Sequence, residues 1–400
     1  MDRLTRLARE RATHDSPTLT NAFRFFSLEE YESMRRGEIW LPNYTRLPHS
    51  HPKNFQLEQA LTKLEHGSDT LTFGSGMSAI FTVLISLLRP GDSWILIVPC
   101  YTGTYLLAEE LTKFGIKVKY FNLYQLGKYD MNSFLSALKA LTDETTKLVL
   151  AENPGNPHTL MIPLACFSSF CDRRGLISVV DNTFASPFNL NPIDYKCDLV
   201  IESLTKWFSR GEFMGGSISW DEERLCRKLN GYLEFQGMQF IDVLGRYRMS
   251  PLAPELAVRC LKNIKILPRQ VGRQNHNAYA LAKWLEEAGF KTYYPGLASH
   301  PQHDMYKPPI CGCIVSFDIG DGDRARLFAK ILARDIPLAV SLGSPTTMFQ
   351  HPAVMTHASI PKDKRLEMGI TDGLFRVSCG TESINWLIST FKKALAPFRP

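Results

Sequence analysis

The sequence predicts an α/β protein in which a mostly parallel sheet is sandwiched by helices and is followed by a smaller C-terminal α/β domain. Between residues 56 and 250, short apolar runs alternate with amphipathic segments. Parallel strands joined by crossover helices produce this alternation, because helices cover both faces of such a sheet. After residue 251, a long helical region leads into a second, shorter set of segments. We therefore expect one domain at 56–250 and another at 251–400.

The elements of the first domain follow directly from the pattern. Helices are predicted where apolar residues recur at helical spacing, and strands where short apolar runs stand between turn-forming residues. In chain order the segments are QLEQALTKLEH (helix), DTLTF (strand), SGMSAIFTVLISLLR (helix), SWILIVP (strand), TGTYLLAEELTKFG (helix), VKYFNL (strand), NSFLSALKALT (helix), KLVLAEN (strand), LACFSSFCDRRG (helix), and LISVVDN and CDLVIES (strands). Ligands of such sheets gather at the carboxyl ends of the strands.

The second domain begins with a helical pattern that Pro268 interrupts. Beyond it come the segments CIVSFDI, RARLFAKILARD, PLAVSL, LFRVSCG and a closing helix, SINWLISTFKKAL. At the other end of the chain, residues 1–55 are rich in Pro, His, Arg and aromatic residues and show few regular elements beyond a short helix at the N-terminus. We expect these residues to form an arm that contacts a neighbouring subunit.

Composition excludes several classes of protein. The 46 basic and 40 acidic residues give a net charge of +6 without a long basic block, so no nucleic-acid partner is expected. The longest apolar runs are too short to cross a bilayer, and the N-terminus is too charged for a signal peptide. The nine cysteines include no C-x-x-C pair and no spacing that completes a metal site. The sequence therefore predicts a cytoplasmic protein without a metal.

The first two strands are followed by a glycine-rich turn and by an aromatic residue. Ser75, Gly76 and Met77 open a helix, where N–H groups could bind an anion, although such turns are more often purely structural. The turn matches neither G-x-x-x-x-G-K-[ST] nor G-x-G-x-x-G, so the nucleotide fingerprints fail. Tyr101 could stack on a flat ligand or pack into the core.

Polar residues also follow the next strands. The segment NPGNP, which contains Asn156, forms a turn when taken alone. Asp181 follows an apolar run, where burial is costly without a cation or donors, unless it caps a turn. Lys206 ends another buried strand, where desolvation lowers an amine pKa and frees a nucleophile, whereas a single lysine is more often salt-bridged.

Taken together, these strand ends fit a site for pyridoxal 5'-phosphate (PLP). The phosphate needs N–H groups and hydroxyls, and the aldehyde needs an amine. The pyridine nitrogen needs a carboxylate that keeps it protonated, so that the ring withdraws electrons. An anion cradle, an aromatic ring, an acid and a lysine at one edge of a sheet meet these needs.

The order of the motifs resembles the Cys/Met metabolism family of PLP-dependent enzymes, which have fold type I, the aspartate aminotransferase-like fold. This family includes cystathionine γ-synthases, cystathionine β- and γ-lyases, methionine γ-lyases and O-acylhomoserine sulfhydrylases. The resemblance runs from about residue 40 to the C-terminus. It is carried by YTR at 44–46, SGM at 75–77, CYTGTY, ENPGNP, DNTFASP, ESLTKW, SLGSPTTMFQHPAVMTH and FRVSCGTES.

The resemblance implies a role for each matched residue. Residues implied to bind the cofactor are Tyr44, Arg46, Ser75, Gly76, Met77, Tyr101, Asn156, Asp181, Ser203, Thr205 and Lys206, and those implied to bind the substrate carboxylate are Ser341 and Arg376. Lys206 would be the Schiff-base lysine and proton shuttle, and Tyr101 would be a second catalytic residue. Tyr44 and Arg46 would reach the phosphate of a neighbouring subunit, which implies a homo-oligomer, specifically a tetramer built as a dimer of dimers.

Some positions depart from the family pattern. The usual G-H-S-D is replaced by SRGEF, which is one residue shorter, two extra residues lie between Tyr44 and Glu58, and HPK replaces N-P-T. Gly103 stands where methionine γ-lyases carry cysteine, which counts against that activity. Thr346 stands where an acidic side chain often helps to select the substrate.

The function implied by the resemblance is PLP-dependent β/γ-elimination or γ-replacement on a homoserine- or cysteine-derived amino acid, of the cystathionine γ-synthase or γ-lyase type. The alternatives are cystathionine β-lyase or O-acylhomoserine sulfhydrylase activity, and a specialised biosynthetic γ-substitution enzyme. A catalytically silent scaffold subunit is an alternative from a different class. The intact Lys206, Asp181 and Arg376 argue against it.

Overall fold

The fold alternates helices and strands through most of its length. A computed structural model describes residues 3–14, 20–127, 130–233, 240–303 and 312–398. Within them the helices are α1 (Arg3–Arg11), α2 (Leu28–Arg35), α3 (Pro52–Glu65), α4 (Gly76–Leu87), α5 (Thr102–Thr112), α6 (Met131–Leu141), α7 (Leu164–Arg173), α8 (Glu222–Leu233), α9 (Phe240–Tyr247), α10 (Pro254–Ile264), α11 (Leu267–Glu287), α12 (Gly322–Leu332), α13 (Lys362–Glu367) and α14 (Ile384–Leu395). The strands are β1 (Asp69–Phe73), β2 (Ser93–Val98), β3 (Lys117–Asn122), β4 (Thr146–Glu152), β5 (Ile177–Asp181), β6 (Leu199–Glu202), β7 (Gly216–Trp220), β8 (Lys291–Tyr293), β9 (Ile314–Asp318), β10 (Met348–Gln350) and β11 (Leu374–Ser378).

The large sheet has seven strands in the order β1-β7-β6-β5-β4-β2-β3. Its neighbouring strands from β6 to β3 run parallel, whereas β7 is antiparallel to both β1 and β6. The predicted mostly parallel sheet is therefore confirmed. The sequence did not indicate β7, because the five-residue run GSISW begins with the second residue of a Gly-Gly pair and has little apolar content.

Helices cover both faces of this sheet. Along β2, Trp94 and Leu96 pack into a core with α4 and α5, whereas Ile95 and Ile97 pack into a second core with α6 and α7. Alternate residues of a strand point to opposite faces, so a strand covered on both sides reads as a continuous apolar run. The burial of both faces leaves the strand ends as the places where polar groups collect.

A smaller sheet in the C-terminal part has the order β10-β11-β9-β8 and is antiparallel throughout. It packs against α11, α12 and α14 in a separate core. The segment PLAVSL makes only one isolated bridge, between Leu338 and Phe349. Pro337 has no N–H to give to a ladder, and the Ser341 carbonyl bonds to the Arg376 guanidinium instead.

Two local details follow from capping chemistry. Pro268 does separate two helices, since it lies in the first turn of α11, where its missing N–H costs nothing. In the N-terminal arm, α2 was not predicted, because LEEYESMR has no apolar stripe; Ser27 caps it by accepting a hydrogen bond from the Glu30 N–H. Within the described residues, no helix has the length and apolar character needed to span a membrane.

Candidate active site

A cavity of about 360 Å³ lies at the carboxyl ends of β4, β5 and β6, and its volume falls in the range of small-molecule sites. The predicted residues that line it are Ser75, Gly76, Met77, Tyr101, Asn156, Asp181, Ser203, Thr205, Lys206 and Arg376. Those that do not line it are Tyr44, Arg46 and Ser341. Parallel strands end at one edge, which is why residues far apart in sequence meet here.

Lys206 follows β6 in a tight turn, in which its N–H donates to the Ser203 carbonyl. Burial lowers the pKa of its ammonium to about 8, with the Arg376 charge acting in the same direction and Asp181 against it. Within the described chain, no hydrogen bond or ion pair reaches the Lys206 ammonium. Its amine is therefore both available and unusually easy to deprotonate.

Two buried carboxyl groups stand side by side at this edge. Glu152 ends β4 and pairs in register with Asp181, which ends β5. Burial raises the pKa of both groups, and at Glu152 burial together with the charge of Asp181 raises the pKa to about 8. Hydrogen bonds from Thr183 and the Lys206 charge partly offset the effect at Asp181. Such a pair favours a cation in the cavity, and a protonated pyridine ring is a group of that kind.

Glu152 also shapes the two turns beside it. Its Oε1 accepts a hydrogen bond from the Tyr101 N–H at 2.6 Å, and its Oε2 accepts one from the Asn156 N–H at 3.0 Å. One carboxylate therefore fixes the residue predicted to stack on the cofactor and the residue predicted to contact the cofactor's phenolic oxygen. Glu152 lies within the ENPGNP motif, but no role was predicted for it from the sequence.

The N-terminus of α4 forms the opposite wall. Ser75 caps the helix by accepting from the Ser78 N–H at 3.1 Å, which leaves the first-turn N–H groups of Gly76 and Met77 available for an anion. A Cβ on Gly76 would stand 2.9 Å from the Ser203 Cβ, so only glycine allows this close approach. The Thr205 hydroxyl bonds to Gly215 at 3.1 Å on both its donor and acceptor sides.

Tyr101 is the N-cap residue of α5, and its side chain is 42% exposed. A Cβ on Gly103 would lie 2.5 Å from the Tyr101 Cε1 and 3.0 Å from the Met77 Sδ. Any side chain at position 103 would therefore push the Tyr101 ring from its present place. Gly103 therefore makes room for this orientation of the ring.

Arg376 comes from β11 and reaches the cavity from the smaller sheet. Its Nη1 donates to Asn156 Oδ1 at 2.9 Å, and its Nη2 donates to the Ser341 carbonyl at 3.1 Å. The guanidinium lies 5.4 Å from the centroid of the Phe184 ring, and among the described residues nothing forms a hydrogen bond with its buried Nε. These bonds hold Arg376 in place and use only one N–H of each Nη atom, which leaves further N–H donors for an anionic ligand group. Ser341 contributes its main-chain carbonyl to this arrangement, rather than a lining side chain.

Tyr44 and Arg46 lie in the arm, outside the cavity of their own chain. Tyr44 is 46% exposed, and the Arg46 guanidinium lies 6.0 Å from the centroid of its ring. Their predicted contact with a cofactor in another subunit remains a prediction.

Several lining residues were not predicted from the sequence. They are Ile80, Glu152, Pro154, Thr183, Phe184, Met214, Val340, Leu342 and Thr356. Glu152 carries the same signal as Asp181, an acid directly after a buried strand, and could have been found. The apolar residues carry no signal, because in sequence they are indistinguishable from core residues.

The residues present fit PLP. Adjacent buried acids match the pyridine nitrogen, the helix N-terminus matches the phosphate, and the unpaired amine of Lys206 matches the aldehyde. The unpartnered Arg376 Nε leaves a donor for the carboxylate of an amino acid.

Comparison with known proteins agrees with this fit. A family model described as "Cys/Met metabolism PLP-dependent enzyme" matches residues 8–396. A cystathionine β-lyase of Lactococcus lactis subsp. cremoris is 34% identical over 92% of this chain and 89% of that protein. A cystathionine γ-lyase of Bacillus subtilis is 31% identical over 96% of each chain.

Among solved structures, a Campylobacter jejuni protein assigned as an O-acetylhomoserine (thiol)-lyase superposes with a TM-score of 0.84 at 25% identity, covering 99% of this chain and 100% of that one. That structure contains a pyridoxyl-lysine. By both its sequence and its fold, the chain therefore belongs to the Cys/Met metabolism family of PLP-dependent enzymes.

Proposed function

We propose that this enzyme catalyses β/γ-elimination or γ-replacement on a homoserine- or cysteine-derived amino acid, of the cystathionine γ-synthase or γ-lyase type. The observation that carries the proposal is the meeting of Lys206, Asp181 and Arg376 in one cavity. Bound PLP supplies an electron-withdrawing ring that stabilises negative charge at the substrate α carbon. The similarity to the γ-lyase of Bacillus subtilis supports the reaction type.

Lys206 is the proposed attachment residue for the cofactor and the proposed general base. A base is most effective when its pKa lies near the working pH, and the pKa of Lys206 is lowered to about 8. Lys206 would hold the cofactor, and when its amine is free it would be placed to remove the α proton of a bound substrate and to return protons to neighbouring carbons. Tyr101 is the proposed second proton donor at the leaving group.

Arg376 is proposed to bind the substrate carboxylate through the N–H groups that its bonds to Asn156 and Ser341 leave free. Arg376→Lys should raise KM for an amino-acid substrate by about tenfold or more, because a lysine cannot make the two-point contact. The affinity for the matching amine that lacks the carboxylate should not change. Arg273→Lys is the control, since Arg273 is exposed and bonds to the Thr381 carbonyl outside the cavity. Equal losses for the acid and the amine would contradict the proposed role.

A second candidate is cystathionine β-lyase activity, which is favoured by the 34% identity to the Lactococcus enzyme. A third is O-acylhomoserine sulfhydrylase activity, which the Campylobacter structure favours. A specialised biosynthetic γ-substitution uses the same residues with a different incoming nucleophile.

Product analysis separates these activities. The purified enzyme with PLP should be given cystathionine, cysteine and O-acylhomoserines, with and without a thiol. Cysteine, ammonia and 2-oxobutanoate from cystathionine would support γ-cleavage, and cystathionine formed from an O-acylhomoserine and added cysteine would support γ-replacement of the γ-synthase type. A thioether formed with a simple thiol but not with cysteine would assign the sulfhydrylase. Homocysteine, pyruvate and ammonia without 2-oxobutanoate would assign the β-lyase instead. No turnover of any of these compounds would overturn the proposal.

We also propose that the working unit is a homo-oligomer, a dimer of dimers, in which Tyr44 and Arg46 serve the cofactor of another copy. Both residues are exposed and neither lines the cavity of its own chain, which supports an action across an interface.

A further inference from the structure

The segment 43–50, called the arm loop below, carries Tyr44 and Arg46 on a compact turn. The turn is closed by hydrogen bonds from the Asn43 N–H to the Ser50 carbonyl at 3.1 Å and from the Leu47 N–H to the Tyr44 carbonyl at 2.9 Å. Both Tyr44 and Arg46 are exposed on it. The arm loop therefore exposes the side chains of Tyr44 and Arg46, and neither of them lines the cavity of its own chain.

Charged side chains attach the arm loop to α3 and β1. His49 Nε2 lies 3.2 Å from Asp69 Oδ1, 3.2 Å from the Thr70 carbonyl and 3.8 Å from Glu58 Oε2. Burial alone lowers the pKa of His49, but the hydrogen bond with Asp69 and the charges of Glu58 and Asp69 outweigh it and raise this pKa to about 8. His49 is therefore largely protonated at neutral pH, and it ties the arm loop to α3 and β1.

Arg248 makes a second attachment. Its Nη1 donates to the Leu47 carbonyl at 3.2 Å, and its Nη2 donates to Glu58 Oε1 at 3.1 Å and to the Thr72 carbonyl at 2.7 Å. Arg248 and Glu58 are each only 1% exposed. The carboxylate of Glu58 thus lies between His49 and Arg248. Arg248 in turn holds the carbonyl of Leu47, two residues before His49.

The packing of Pro48 completes the attachment. Pro48 lies between Leu47 and His49 and rests on Gly245, where a Cβ would stand 2.6 Å from the Pro48 Cγ. The His49 carbonyl accepts a hydrogen bond from Trp40 Nε1 at 3.2 Å. Successive residues directly after Arg46 are therefore fixed, in the stretch where this sequence is two residues longer than the family pattern.

Energetics indicate that this arrangement fixes an orientation rather than simply adding stability. A fully buried ion pair contributes little net stability compared with well-packed apolar residues, because both charges lose their hydration. Its strength lies in geometry, since a carboxylate and a guanidinium bond only in defined directions. A loop that served only to cover α3 would not need a buried ion pair with defined bond directions.

We propose that His49, Glu58 and Arg248 are positioning residues that orient the arm loop so that Tyr44 and Arg46 reach the cofactor phosphate of a second copy of this chain. The inference rests on the proposed function only in that Arg46 meets a phosphate across an interface; it does not depend on which amino acid is the substrate.

PLP affinity tests this inference without any substrate. In His49→Phe, the dissociation constant for PLP should rise by about tenfold or more, as expected when a charge-assisted phosphate contact is lost. The dissociation constant for pyridoxal, which lacks the phosphate, should stay unchanged. His66→Phe is the control, because His66 is exposed and bonds to Asp194 away from the arm loop. Equal weakening for PLP and pyridoxal would overturn the inference, and His49→Gln repeats the test if the Phe variant does not fold.

Hybrid dimers distinguish an action across the interface from a local effect. Two chains with different affinity tags are co-expressed, one carrying His49→Phe and the other Lys206→Ala. In the hybrid, the site that keeps Lys206 is served by an intact arm loop, so its PLP affinity should return to the wild-type value. When both changes are on one chain and the other is wild type, the Lys206 site is served by the altered loop, and its affinity should stay weak.

The opposite pattern, in which affinity follows the chain that owns Lys206, would overturn the inference, as would a wild-type protein that is monomeric in sedimentation. If the wild-type protein bound PLP but turned over none of the substrates above, the proposed reaction would fall and this inference would stand.

Discussion

Lys206→Ala should lower kcat by about 10³-fold or more, because the variant loses the residue that moves protons at the reacting carbons. It should also lose the near-visible absorbance that PLP shows when attached to a lysine. The measurement is turnover of the best substrate together with the absorbance spectrum of the purified protein.

The matched control is Lys113→Ala, whose ammonium is exposed and paired with Glu110 at the C-terminal end of α5. It should retain wild-type activity and spectrum. Wild-type turnover by Lys206→Ala would contradict the assignment of this lysine, whatever the behaviour of the control.

Asp181→Asn should lower kcat by about 10²-fold, because an amide keeps the shape of the side chain but cannot hold a proton on the pyridine nitrogen. The cofactor-free protein should be no less stable to heat than the wild type. The pKa of Asp181 is raised by burial, so its charge is unfavourable in the folded cofactor-free state, and the neighbouring Glu152 is relieved when that charge is removed.

Asp194→Asn is the control, since Asp194 is an exposed acid bonded to His66. A large fall in the melting temperature of the cofactor-free Asp181 variant would show that the residue acts through folding, and an unchanged kcat would remove it from the catalytic site.

The strand ends were predictable from sequence for a physical reason. A strand covered on both faces must be apolar, so the first polar residue after it marks the edge of the sheet, and parallel strands bring these edges together. Asp181 was found in this way, Lys206 was found in the turn four residues beyond the end of β6, and Glu152 obeys the same rule. The family motifs added Arg376, which the argument from strand ends would not have placed in the same cavity as Lys206.

Contacts between distant segments could not be read from the sequence. The guanidinium of Arg376 bonds to the side chain of Asn156, which is 220 positions away in the sequence, and Arg248 bonds to Glu58, which is 190 positions away. Buried arginines with specific partners look like surface arginines in a sequence, because their burial depends on the whole fold. For the same reason the sequence predicted an arm but not what holds it.

The most direct test of the proposed chemistry is to find where the cofactor is attached. The protein with bound PLP is reduced with borohydride, digested, and the modified peptide is identified by mass spectrometry. We predict a pyridoxyl group on the peptide that contains Lys206 and on no other lysine. A reduced protein that carries no pyridoxyl group, or carries it elsewhere, would contradict the central claim.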